Sequence, residues 1–79
     1  MHFVVAYDIV KDRRRHKVMN TLKNFGQRVQ YSVFECELSM LQAEQLLQRL
    51  RTLIDPRRDR VHMYPCAIPV FSVRRVSVV

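Results

Sequence analysis

An α+β domain is the fold class this chain predicts, on three observations. Segments rich in β-branched and aromatic residues open and close it. Two segments with apolar residues at three- and four-residue spacing lie between them, and a period-two segment sits in the middle. The predicted order is strand, helix, one or two strands, helix, strand, and a further strand. With two central strands this is β-α-β-β-α-β, the ferredoxin-like arrangement, in which two helices cover one face of an antiparallel sheet. The other face is then left to bury against something else.

Residues 2–8, HFVVAYD, form a continuous apolar run that ends on the carboxylate of Asp8, a pattern expected of a strand buried on both faces. Asp12 suits the N-cap of the first helix, where Val18, Met19, Leu22 and Phe25 mark the buried stripe and Gly26 suits the C′ position. In RVQYSVFECEL, residues 28–38, alternation places Val29, Tyr31 and Val33 on one face and Gln30, Ser32, Phe34 and Cys36 on the other. No Gly or Asn marks a turn there, so this segment reads as one strand or two. Ser39 with Gln42 is a capping box. The second helix carries Ala43, Leu46, Leu47, Leu50, Leu53 and Ile54 on its apolar face, with Met40 also expected in the core. Asp55-Pro56 stops it. Residues 60–68 are strand-like again, and Pro65 restricts them to a sheet edge or a strand end. The last ten residues, 70–79, read VFSVRRVSVV and require a sheet, either their own or a partner's.

Seventy-nine residues make one domain, residues 1–79, and its 48% apolar content exceeds what so thin a core can absorb. An oligomer is expected, most simply a two-fold dimer. Cys36 and Cys66 lack both zinc-site spacing and the density of a disulfide scaffold, and read as plain thiols. No apolar run reaches the roughly 18–20 residues of a membrane span. The sequence begins directly on a strand pattern, without a basic and apolar leader, so a cytoplasmic location is expected. Fourteen basic against seven acidic residues give a net charge of +7, and the pI is near 10.3. That balance points to a polyanionic partner, nucleic acid first. A single Gly cannot build a phosphate loop, and neither a zinc-helix His-Glu pair nor the RNA-recognition signature is present. His2, His16 and His62 are widely separated and read as structural or solvent-facing.

Asp8 is the residue that composition leaves unexplained. It ends an apolar strand and faces the run Arg13, Arg14, Arg15, His16, Lys17. A salt bridge to Arg13 or Lys17, or hydrogen bonds from backbone amides, is the plain reading. The chemical reading is a divalent metal beside a bound phosphate: Mg²⁺ keeps several waters and needs only one or two carboxylates. In a two-fold dimer two copies of Asp8 supply both, and Arg13, Arg14, Arg15 and Lys17, doubled likewise, hold the phosphate backbone. Arg57, Arg58, Arg60, Arg74 and Arg75 read as solvated charge with diffuse attraction for phosphate.

Several motifs, in order and spacing, resemble the CRISPR-associated protein 2 family. They are Tyr7-Asp8-Ile9, the basic start of the first helix, GQRVQYSVFE at residues 26–35 and IDPRRDRVHMYP at residues 54–65. The resemblance covers nearly the whole chain. It implies a ferredoxin-like homodimer with two short strands within residues 28–38 and a C-terminal strand, 70–79, paired with the other protomer's sheet. It implies Asp8 as the ligand of Mg²⁺, or of Mn²⁺ in its place, with Tyr7, Arg15, Arg28 and Phe34 at basic and aromatic positions linked to nuclease activity. Lys17 stands where family members can carry arginine, which removes bidentate phosphate contact there. The resemblance further implies a CRISPR adaptation protein that binds duplex DNA and bridges subunits of the spacer integrase, with metal-dependent phosphodiesterase activity second. The alternative makes an endonuclease acting on RNA or DNA the primary function.

Overall fold

The computed structural model describes residues 1–67. Strand β1 (His2–Asp8), helix α1 (Asp12–Lys23), strands β2 (Gly26–Gln30) and β3 (Val33–Glu37), helix α2 (Met40–Leu53) and strand β4 (Arg60–Cys66) follow in the expected order. The fold is ferredoxin-like, β-α-β-β-α-β. All strand pairs are antiparallel, in the order β2-β3-β1-β4. The segment 70–79 lies outside the described residues.

β1 alternates regularly despite its uniformly apolar sequence. Phe3, Val5 and Tyr7 point into the core, while Val4 and Ala6 are only half-buried on the opposite face. Among the described residues the strand is therefore covered by helices on one side only, and its near-continuous apolar run suits the second side to another surface. From β3, Phe34 and Cys36 enter the same core, where Val18 and Leu22 of α1 and Ala43, Leu46 and Leu50 of α2 meet them. Among the described residues β4 is an edge strand, which accommodates Pro65 opposite Phe3.

Local chemistry departs from the sequence expectations in four places. Lys11, not Asp12, is the N-cap of α1, and it makes no side-chain cap bond. Asp12 lies inside the first turn and pairs with Arg15, one turn on. Gly26 is not a left-handed helix terminator, for it has no positive φ and opens β2 instead. A Cβ at Gly26 would sit 2.4 Å from both Cys36 Sγ and the Glu35 carbonyl oxygen, so a bare Cα is needed for β2 to approach β3. Between those strands Ser32 takes the left-handed conformation at φ 64° and makes the turn without Gly or Asn. Together with a register shift between Arg28 and Gln30, this breaks the uninterrupted alternation expected over residues 28–38. Met40, finally, is 60% exposed rather than in the core, since the helix starts there with its first turn turned outward. The capping box is present as expected: Ser39 Oγ accepts the Gln42 N–H at 3.1 Å, and Gln42 Oε1 accepts the Ser39 N–H at 2.9 Å.

Candidate functional site

The C-terminal end of β1 gathers the chemistry-bearing residues. Asp8 is the first exposed residue of that strand, on the sheet face that carries no helix. Among the described residues its carboxylate accepts no hydrogen bond, and no cation of Lys, Arg or His comes within 4.0 Å of it. The expected pairing with Arg13 or Lys17 is not made. Arg60, its register partner on β4, turns its Nη1 to the Asp59 carbonyl at 2.9 Å.

The backbone just after Asp8 is fastened from two sides. Arg15 donates from Nη2 to the Ile9 carbonyl at 3.0 Å and from Nε to the same oxygen at 3.3 Å, while Asp12 holds its Nη1. On the other side, Asp59 Oδ1 accepts the Val10 N–H at 3.1 Å. Asp59 is a buried carboxylate, and all its bonds are charge-assisted or to backbone N–H. Arg14 Nε donates to Oδ2 at 2.7 Å and Nη2 to Oδ1 at 3.2 Å, and the Asp55 N–H donates to Oδ2 at 2.8 Å. The Arg14 guanidinium, chiefly, with the Asp55 and Val10 amides, holds this carboxyl well below the usual carboxylate range, against the opposing effect of burial. Asp59 thus ties α1, the end of β1 and the α2–β4 connection into one unit. Sequence reasoning missed it. An acid among Arg57, Arg58 and Arg60 reads as one more solvated charge, and only the tertiary position of Arg14 reveals its partner.

These contacts separate the basic residues by use. Arg14 is committed to Asp59 and Arg15 to the β1–α1 loop. Arg13 and Lys17, four residues apart on one face of α1, are exposed and without an ion-pair partner among the described residues. Arg28 is exposed on β2, with its guanidinium carbon 5.5 Å from the Tyr31 ring centroid and its Nη1 3.8 Å from Met19 Sδ. Tyr7 is buried beside Phe34, ring centroids 6.4 Å apart. Burial raises the Tyr7 hydroxyl pKa, with a smaller contribution from Tyr31, while Arg28 and Arg15 act in the lowering direction. Phe34 is wholly buried and supports the site by packing. The Tyr7 N–H donates to the Ser32 carbonyl at 3.0 Å, so the β2–β3 turn is tied to the same strand end.

The donor set bears on metal. An exposed carboxylate that accepts no other bond among the described residues, on a braced backbone, fits a hard, hydrated cation. A single protomer does not complete a cage, because no group of three or more His, Cys, Asp or Glu that could hold a metal occurs among the described residues. The helix-free sheet face next to Asp8 presents Val4, Ala6 and Val33, with His62 and Tyr64 stacked at 6.0 Å. No described helix is long and apolar enough to cross a membrane.

Comparison with known proteins bears on the whole of this arrangement. A family model described as CRISPR associated protein Cas2 matches residues 1–71. The CRISPR-associated endoribonuclease Cas2 3 of Synechocystis sp. is 49% identical over 63 residues, which are 80% of this chain and 68% of that protein. The CRISPR-associated endonuclease Cas2 2 of Thermus thermophilus is 49% identical over 65 residues, 82% of this chain and 72% of that protein. Among solved structures, Streptococcus pyogenes Cas2 superposes with a TM-score of 0.80 at 30% identity, covering 95% of this chain and 94% of its own. A hypothetical protein from Thermus thermophilus gives a TM-score of 0.81 at 48% identity, with 85% and 82% covered. The match spans both strands of the braced site and both helices behind it, and on these grounds the chain belongs to the CRISPR-associated Cas2 family.

Proposed function

We propose that this protein acts in CRISPR adaptation as a basic homodimer that holds duplex DNA by its backbone and bridges subunits of the spacer integrase. The observation that carries the reading is the division of labour among the cations. Arg14 and Arg15 stiffen the fold, while Arg13, Lys17 and Arg28 remain exposed for phosphate. Nothing in the charge distribution favours base-edge readout, and binding of this kind is sequence-independent. The dimer rests on the helix-free sheet face and on the apolar composition of residues 70–79. Co-sedimentation of the purified protein with the integrase from the same genome, with and without a 30–40 base-pair duplex (a length on the order of four helical turns), tests the bridge. The expected result is a defined complex containing two copies of this chain; a monomer, or failure to associate under either condition, contradicts it.

A second reading is favoured by the exposed carboxylate of Asp8, unpaired among the described residues, and by the nuclease names of the similar proteins. Two copies of Asp8, one from each protomer, would hold Mg²⁺ or Mn²⁺. A cation there supplies positive charge to a phosphate and acidity to water. The chain's own contribution is positional. Arg15 and Asp59 fix the backbone that carries Asp8, Arg28 and Lys17 place the phosphodiester, and Arg28 offsets charge as it develops. This phosphodiesterase chemistry, on RNA or DNA, stands second to the bridge.

A further inference from the structure

Tyr31 is 69% exposed, yet it sits on a tightly fixed turn. The neighbouring Ser32 is held at φ 64°, a conformation that costs a non-glycine residue energy and persists where surrounding contacts impose it. Here the imposing contact includes the Tyr7 N–H bonded to the Ser32 carbonyl, one residue before Asp8. On one side of the ring lies the Arg28 guanidinium, itself against Met19 of α1. This contact directs the Tyr31–Arg28 pair toward the helix side of the hairpin, away from the sheet face assigned to the dimer. No second ring or cation contact to Tyr31 is made among the described residues, and the side chain stays largely exposed. A rigidly presented aromatic face, backed by a cation and close to phosphate-binding charge, has the chemistry that stacks a nucleobase.

We propose that Tyr31 is the stacking platform for one exposed nucleobase at the Asp8 end of the molecule, with Arg28 as the cation behind the ring. The proposal rests on the nucleic-acid reading above and deepens it by naming what the site takes: a base with a free face. Interior base pairs of a duplex have both faces occupied by their neighbours and cannot dock. An unpaired base of a single strand can, and so can the terminal pair of a duplex.

Three oligonucleotides carrying 2-aminopurine distinguish these sources: a single strand, a blunt duplex labelled at its end, and a covalently closed duplex labelled internally. Stacking on Tyr31 quenches the probe's fluorescence. The expected result is quenching in the single strand, the blunt end, or both, and none in the closed duplex. Tyr31→Ala should remove the quenching and weaken binding of the quenched species about 5- to 150-fold, while changing closed-duplex affinity less than about twofold, as expected of a contact that adds nothing to phosphate binding. Tyr31→Phe should retain both properties, which a loss of folding would not allow. Binding to the closed duplex without any Tyr31-dependent quenching overturns this inference alone. Failure of the parent protein to bind any of the three at low salt overturns the nucleic-acid reading and this inference with it.

Discussion

Asp8 and Asp59 lie at the same end of the sheet, and their surroundings give them opposite work. Asp59 accepts four hydrogen bonds in the interior, whereas Asp8 stands exposed and accepts none among the described residues. Replacing Asp59 with Ala leaves the Arg14 guanidinium and two backbone amides without their acceptor. The expected loss is about 3–5 kcal/mol, the usual consequence of breaking a buried pair, read as a lower urea midpoint at unchanged slope. The pH dependence follows from the depressed pKa of Asp59. A carboxylate held below its unfolded value stabilises the fold at neutral pH and loses that contribution as the pH falls below about 4. The stability advantage of the parent over Asp59→Asn should therefore be constant near neutrality and shrink on acidification. An advantage that grows as the pH falls would contradict the assignment. Asp8 was legible in the sequence because an acid ends an apolar strand, but Asp59 was not. Its identity as a brace depends on Arg14 arriving from 45 residues away, and no local pattern encodes that meeting.

At the scale of elements, the β2–β3 hairpin departs furthest from what its sequence advertises. Tyr31 and Ser32 make a turn without the usual turn residues, and Gly26 serves close strand approach rather than helix termination. The order of elements from β1 to β4 was legible, since helical spacing and the Ser39–Gln42 capping box are local signals, and the further strand expected at 70–79 lies outside the described residues. The number of central strands was not, because left-handed backbone at Ser32 is imposed by tertiary contact with Tyr7. Gly26→Ala places a methyl group against the Glu35 carbonyl and Cys36 Sγ, and should cost about 1–3 kcal/mol, as overpacking does; thermal melting of the variant checks it. Cys36 reports on the same junction. Burial, reinforced by Glu35, pushes its thiol up to about 11, so it should resist a thiol-specific reagent in the native state. The half-buried Cys66 should react first. Equal rates for the two thiols would mean that β2 does not stay closed over β3.

At the scale of the whole molecule, the described residues form a sheet with helices on one face, and the chain is strongly basic. In the proposed function a second protomer covers the face that the described helices leave open, and nucleic-acid phosphate meets the net charge of +7. Backbone-driven binding should weaken with salt by a log–log slope of about −0.9 per phosphate neutralised on duplex DNA. Arg13→Ala and Lys17→Ala should each flatten that slope by about one such increment, equally for unrelated sequences. Arg14→Ala should instead act mainly through stability, since its guanidinium is held by Asp59. A slope indifferent to Arg13 and Lys17 would remove these residues from the interface.

The most direct measurement is made on Asp8→Asn, with spacer integration and metal-dependent cleavage assayed on one preparation. The substitution keeps the shape of the side chain and removes its charge, and in the proposed dimer, with two Asp8 carboxylates facing each other, it would also relieve their repulsion when no metal is bound. The protein should fold at least as well as the parent, assemble with the integrase, support integration at the parent's level, and lose cleavage. Loss of integration with dimer and DNA binding intact would contradict the account and make the metal chemistry primary.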